Sequence, residues 1–510
     1  MLIAAIPRIL GAFFLPNAFG DAYVYIRDIG TMSTKLAAHT FALTDLFGFW
    51  LPLYQFICAV INAFVGNGFY VGKVVSAAFG VGVCLFVFSI TLRLTANRTA
   101  AWLAFVAIAL NPLQIYYSAS AMTDVPHAFF VLASLYFVLR QGWIAAAIFA
   151  AMAGLTRVES WMLIGLIPTI QFLKERRVSF GAILILITAP VFWFYISWQA
   201  TGNWLACFQA RQQYHDWLLA MNPRLGRFAL SQILRDTATL LVSTDIAVFS
   251  AAFIGLWKIF KRTSRHLVSD ETQSIVSSSI FFFAFLGLLV VAYLTHQQPI
   301  IFPRYGLILF SLGIPILACT VLRLRQGKPH IARRLLISVI AICAFDAGVQ
   351  LVGSVGFFNQ YSVQRAVADY LRDHFPRNGN TRIFCDEGTV QALSGIPPEK
   401  FVSSADAPHD ADEFLAFLSE KNVEYLVIVK KEDSIPSELF PWSEYGERIG
   451  TFESVMHGHS EFLPTNIQLY QAKPTQGSRS GNPGLEVSTA LRLGTAQNLP
   501  RRGIRSPSTC

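Results

Sequence analysis

Four places in the chain set ionisable side chains beside long apolar runs. Asp21 stands in Gly20-Asp21-Ala22-Tyr23, and Asp124 closes Ser120-Ala121-Met122-Thr123-Asp124. Arg157 and Glu159 share Thr156-Arg157-Val158-Glu159, and Arg304 with Tyr305 follows Phe302-Pro303. An ionisable group at membrane depth is costly to keep, which makes each a candidate for function. A carboxylate in such a place can take the proton from a hydroxyl as a general base. An arginine can hold a phosphate through two parallel hydrogen bonds and stabilise the charge it gains on leaving. Two carboxylates and one or two arginines together suit transfer of a sugar from a lipid phosphate, through a centre with oxocarbenium character.

Each residue also has a plainer reading. Asp21 can be a solvated loop acid or a helix cap, as can Asp28 and Asp45 further along. Asp124 lies just before Pro126, which suits an N-cap. Arg157 and Glu159 are two apart, so on a helix they would point differently and need not pair, and a structural ion pair elsewhere is as good a reading of each as a site. Arg304 can anchor the chain to lipid phosphate at the interface. His127, His215 and His296 are single imidazoles without a cluster, and they are read as structural. The seven cysteines carry no CxxC and no Cys/His pair at zinc spacing, so neither a metal centre nor a disulfide framework is indicated. No cofactor is indicated either, although a divalent metal stays compatible with the acids. No GxxxxGK[ST] phosphate loop is present, which disfavours a nucleotide-driven pump.

The elements that must position these residues lie in lipid. Of 510 residues 54% are hydrophobic and 14% charged, where soluble chains carry roughly 25% charged. Mean hydropathy is +0.48. Several charge-free runs reach the 20 or so residues that a bilayer crossing takes, Val74–Leu92 among them. The net charge of +9 is no nucleic-acid signal, because six basic residues lie in the tail after Gln471 and the remaining basic clusters sit between apolar runs.

Those clusters, Arg93–Arg98, Arg140, Lys174–Arg177, Lys258–Arg265 and Arg323–Arg334, recur after every second apolar run, and the positive-inside rule assigns all five to the cytoplasm. The expected spans are Val74–Leu92, Thr99–Tyr117, Val125–Leu139, Gln141–Thr156, Trp161–Leu173, Phe180–Gln199, Ile246–Phe260, Ile275–Thr295, Tyr305–Leu322 and Leu335–Phe357. Met1–Pro16, short and interrupted by Pro7 and Arg8, is expected to be an eleventh, shortened or continued upstream. Leu46–Val65, broken by Pro52 and Asn62, reads as an interfacial helix. All the candidate residues then meet at the outer leaflet, in an α-helical polytopic membrane protein of about eleven spans.

Residues 1–358 form this expected membrane domain. From 359 to 472 the pattern turns soluble: Val363, Val367, Tyr370 and Leu371 mark one helix face, Thr381–Cys385 a strand, Asp410 with Glu413 a capped helix start, and Val423–Val429 a buried strand. This predicts a small α/β domain outside the membrane. Residues 473–510, rich in Gly, Ser, Pro and Arg, are expected to be a disordered basic tail.

At these residues the chain resembles a family. The acid after the first helix, Pro52-Leu53-Tyr54, Asn111-Pro112 with Tyr116 and Tyr117, Thr156-Arg157-Val158-Glu159 and Pro303-Arg304-Tyr305 look like the polytopic glycosyltransferases of the C superfold. The nearest branches are protein O-mannosyltransferases and the aminoarabinose transferases that modify lipid A. The resemblance is an ordered series of short motifs over roughly 17–357. It implies inverting transfer from a polyprenyl-phosphate sugar to a protein, glycan or lipid acceptor at the outer face of a bacterial inner membrane. By the resemblance the catalytic acid is that of the first loop, here Asp21; the chemistry of the residues themselves adds Asp124 as a second catalytic candidate, with Arg157, Glu159, Arg304 and Tyr305 binding substrate. Many members have paired acids where this chain has Gly20-Asp21-Ala22, which makes a metal site poorer. Competing readings are a secondary transporter with Asp124, Arg157 and Glu159 at the midplane, and a non-catalytic envelope-assembly protein.

Overall fold

The computed structural model describes residues 1–221, 229–253, 270–298, 300–327, 329–356, 361–376, 379–402, 407–408, 410–429, 448–449, 452–460 and 465–472. It divides between Tyr361 and Ser362 into two compact units. The tail expectation lies outside the described residues.

The first unit is helical. In order come α1 (Leu2–Phe14), α2 (Asp21–Ala37), α3 (Leu53–Val65), α4 (Gly68–Thr95), α5 (Arg98–Leu110), α6 (Pro112–Ser118), α7 (Asp124–Leu139) and α8 (Trp143–Gly154). They are followed by α9 (Leu163–Glu175), α10 (Phe180–Thr201), α11 (Ala206–Met221), α12 (Leu230–Thr244), α13 (Ile246–Phe253), α14 (Asp270–Leu294), α15 (Arg304–Gly327) and α16 (Pro329–Gly356). Among the described residues four helices, α4, α10, α14 and α15, are long and apolar enough to cross a bilayer, and the bent pairs α5/α6 and α12/α13 bring this to six. The count of eleven is therefore not reached on length. Helices such as α1 and α8, at 13 and 12 residues, rise only about 20 Å.

One of the two bends corrects an expected span, and the other lies at the start of one. The stretch Thr99–Tyr117 is not one helix but turns by 61° at Asn111-Pro112. Pro112 offers no N–H to the Ile108 carbonyl four residues back, and the Asn111 side chain instead caps α6 by accepting from Gln114 N at 2.9 Å. The expected span Ile246–Phe260 is described only to Phe253 and meets α12 at 88°, turning on Asp245 at φ +70°; residues 254–260 lie outside the described ones.

Arg8 is an obstacle in the sequence and a strut in the fold. Fully buried, it donates to the carbonyls of Ala109 (2.9 Å) and Ile108 (3.2 Å), the acceptors that the break at Pro112 leaves without helical donors. It also reaches Ala4 O and Ser118 Oγ. We expect Arg8→Met, which keeps apolar volume and strands those carbonyls, to cost about 2–5 kcal/mol of stability. Thermal unfolding of the purified protein in detergent measures this, and a midpoint unchanged from wild type would contradict the assignment.

The second unit holds α17 (Ser362–His374), α18 (Gly388–Ser394) and α19 (Ala411–Glu420) against a six-stranded sheet. Its strands are β1 (Arg382–Cys385), β2 (Phe401–Val402), β3 (Val423–Val429), β4 (Arg448–Ile449), β5 (Phe452–Ser460) and β6 (Thr465–Ala472), in the order β2-β1-β3-β6-β5-β4. β1 pairs parallel with β2 and β3, and the remaining pairs are antiparallel. Alternation along the strands sends Ile383, Cys385, Tyr425 and Val427 into a core with Val363, Val367 and Leu371 of α17. Phe384, Leu426 and Ile428 face the other way, onto Phe414 and Leu418 of α19. Asp410 caps α19 by accepting from Asp412 N and Glu413 N.

Candidate active site

The site is assembled by loops at the ends of short helices. After α1 the chain runs through Leu15–Gly20, and buried Lys73 of α4 holds its first carbonyl, donating to Leu15 O at 2.6 Å. Asn17 Oδ1 then accepts from Ala121 N at 2.9 Å, and Ala18 N donates to Ser120 Oγ at 3.0 Å. This lashes the 15–20 loop to the 119–123 loop, so that Asp21, opening α2, and Asp124, opening α7, stand side by side. A Cβ at Gly72 would come within 2.9 Å of the Ala121 Cβ, so the close passage of α4 under this loop requires a glycine there.

Two ion pairs close the arrangement. Arg304 Nη1 donates to Asp21 Oδ2 at 2.7 Å, joining residues 283 apart in sequence. Arg157 Nη1 donates to Asp124 Oδ1 at 2.8 Å, while its Nη2 and Nε reach Glu159 Oε1 at 2.7 and 3.3 Å. The pairs adjoin, since Arg304 interacts electrostatically with Asp124 as well as Asp21. Tyr25 and Tyr117 lie among them: Tyr25 within range of Asp21, Arg157 and Asp124, and Tyr117 within range of Asp124, Arg304 and Asp21.

The geometry bears on three of the plainer readings. Asp124 is no N-cap: α7 begins at Asp124 itself, and its carboxylate serves Arg157. Arg157 and Glu159 do pair, because Arg157 is extended (φ −148°, ψ 138°) and Glu159 sits in a single 3-10 turn, so the helical spacing argument does not apply. Arg304 does not face lipid. Its side chain is 12% exposed and lies among the rings of Phe19, Phe302 and Tyr305. The structural reading of His127 matches its geometry, with Nε2 2.7 Å from Ser160 Oγ, a bond that ties α7 to the turn carrying Glu159.

Burial by itself would raise the Glu159 carboxyl, but Arg157 beside it outweighs this and holds it at about 2, ionised at physiological pH. Arg211 of α11 belongs to the same neighbourhood: it interacts with Glu159 and Arg157 and lies over the Phe49 ring at 5.9 Å. Sequence reasoning missed Arg211, Tyr25, Phe19 and Phe302. Only the position of Phe19 and Tyr25 beside Asp21, and of Phe302 beside Arg304, could have signalled three of them. Among the described residues no three or more His, Cys, Asp or Glu side chains gather where they could hold a metal ion.

Chemically, Asp21 presents a carboxylate whose Oδ2 is held by Arg304 while the side chain stays 30% exposed. A guanidinium therefore stands hydrogen-bonded to a solvent-reachable carboxylate, which brings together one group able to hold an anion and one able to accept a proton.

No family model and no curated protein matches the chain. Among solved structures it is similar to ArnT from Cupriavidus metallidurans bound to undecaprenyl phosphate, with TM-score 0.60, 12% identity, and 92% of this chain and 96% of that one covered. The apo state of the same ArnT gives TM-score 0.56 at 12% identity over 92% and 96%. The archaeal oligosaccharyltransferase AglB from Archaeoglobus fulgidus, in complex with an inhibitory peptide and a dolichol-phosphate, gives 0.46 at 12% identity over 84% and 68%, too distant to bear on the site. The chain thus has the fold of this ArnT, in keeping with the fold that the resemblance to the polytopic membrane glycosyltransferases of the C superfold implied. The chain is accordingly an integral membrane protein of predominantly helical structure.

Proposed function

We propose that the protein transfers a sugar from a polyprenyl-phosphate donor to a protein, glycan or lipid acceptor at the outer face of a bacterial inner membrane. The observation that carries this reading is the Asp21–Arg304 pair at 2.7 Å beside the Arg157–Asp124 pair, on the helix ends that the positive-inside rule assigns to the outer leaflet. In the reaction the acceptor oxygen attacks the anomeric carbon while Asp21 takes its proton. The bond from that carbon to the phosphate oxygen breaks, and the electron pair leaves with the polyprenyl phosphate. Attack opposite the leaving group inverts the anomeric centre. Arg304 holds the phosphate, and Arg157 fixes Asp124 and Glu159 as the adjoining wall with Tyr305. The second unit, over 362–472, lies outside the membrane in this orientation. The similarity to an ArnT bound to undecaprenyl phosphate supports a lipid-phosphate donor.

Two measurements test the proposal together. Mass spectrometry of envelope glycolipids and glycans with and without the gene should show one glycosylated species lost. Ala38, exposed after α2, tests orientation: an engineered Ala38→Cys should react with an impermeant maleimide in intact spheroplasts. Labelling only after lysis, or an unchanged glycan profile, would each overturn the reading.

A further inference from the structure

Arg304 is held more rigidly than a phosphate ligand on a mobile side chain. Its guanidinium carbon lies 5.2 Å from the Phe19 ring centre, 5.3 Å from Phe302 and 5.6 Å from Tyr305. Phe19 and Phe302 meet edge to face at 5.4 Å and brace each other. A guanidinium among three rings gains cation–π attraction and loses the freedom to swing. Its Nε is buried with no hydrogen-bond partner, so its capacity to donate is not filled by the protein. The anion now on it, Asp21, belongs to a short side chain in the first turn of α2, and it is the more exposed partner, 30% against 12%.

A caged cation whose present anion is the more exposed partner is a seat that a second anion can contest. We infer that the Phe19–Phe302–Tyr305 cage fixes Arg304 as a shared anion seat, for which Asp21 and the lipid phosphate compete, so that donor binding frees the base. This rests on the proposed reading of Arg304 as the phosphate ligand. Without donor, Asp21 is latched on Arg304 and cannot deprotonate a hydroxyl with the oxygen it has committed. A lipid phosphate that brings its oxygens to Arg304 displaces Asp21 toward the acceptor. After transfer the protonated Asp21 gives its proton to water, regains its charge and competes again for the seat. Phe19 and Phe302 act through Arg304 and are positioning residues.

The probe is undecaprenyl phosphate, titrated against the full chain in detergent and read by native mass spectrometry. Asp21→Asn removes the competitor and should tighten binding by about fivefold, the scale of a partly exposed ion pair. Asp21→Ala should act in the same direction, and both variants are checked for a wild-type unfolding midpoint. Arg304→Ala should abolish binding. Phe302→Leu keeps apolar volume without a ring face: it should weaken binding and reduce the gain from Asp21→Asn, while Phe302→Tyr restores both. If Arg304→Ala binds as wild type does, the phosphate reading itself fails. If Arg304→Ala loses binding while neither Asp21 variant binds more tightly, the phosphate reading stands and the competition is overturned.

Discussion

On the proposed function, Asp21→Asn should leave a folded protein that binds lipid phosphate but transfers sugar about 10²–10⁴-fold more slowly, the factor that a general base supplies. The substitution keeps the shape of the side chain and its ability to accept from Arg304 Nη1, which now stands 2.7 Å away. It removes the proton affinity on which deprotonation of the acceptor depends. The loss should appear in turnover, with donor affinity improved, because the charge removed is a rival of the phosphate. Kinetics with a synthetic polyprenyl-phosphate sugar decide it. Turnover above about a third of wild type would take the base role from Asp21, since general-base catalysis contributes far more than threefold. Asp124 is then a poor replacement, as its Oδ1 is committed to Arg157 and its side chain is only 6% exposed.

Arg304→Ala is the second large effect. A donor aimed at the leaving phosphate contributes most when that phosphate gains charge, so its removal should lower turnover by about 10²–10³-fold, the scale seen for lost oxyanion ligands. It also leaves Asp21 without its cation and the three rings around an empty space. Arg304→Lys retains the charge but not the planar fork that fits between Phe19 and Phe302, so it should recover only a small part of the loss. Kinetics of both variants, with donor affinity measured separately, make the test. Turnover and affinity within about twofold of wild type in Arg304→Ala would remove Arg304 from the site, because an oxyanion ligand contributes far more.

Arg8 shows why the helical stretches were harder to place than the site residues. Read along the chain, a charge in a short apolar run argues against a span. The fold turns it inward onto carbonyls that Pro112, more than 100 residues away, leaves unpaired. The signal for the break, Asn111-Pro112, was present in the sequence, yet its compensation came from another helix. The same holds for Lys73, just outside an expected span start and buried against Leu15 O. Composition and charge clusters therefore determined the membrane class, the run of helices and the change of pattern near 359, because burial in lipid demands continuous apolar runs and basic flanks whatever their packing.

The sequence by itself also singled out the candidates for chemistry, since Asp21, Asp124, Arg157, Glu159 and Arg304 stand out by cost alone in so apolar a chain. Only the tertiary structure decided who pairs with whom. Asp21 meets Arg304 across 283 residues, Asp124 meets Arg157 instead of capping its own helix, and Arg157 meets Glu159 because the turn between them is extended and 3-10, not α-helical. Phe19 and Phe302 become a cage only there. The physical reason is that spacing rules describe neighbours within one regular element, whereas these contacts join loops whose approach is set by Lys73, Asn17 and Ser120 holding other backbones in place.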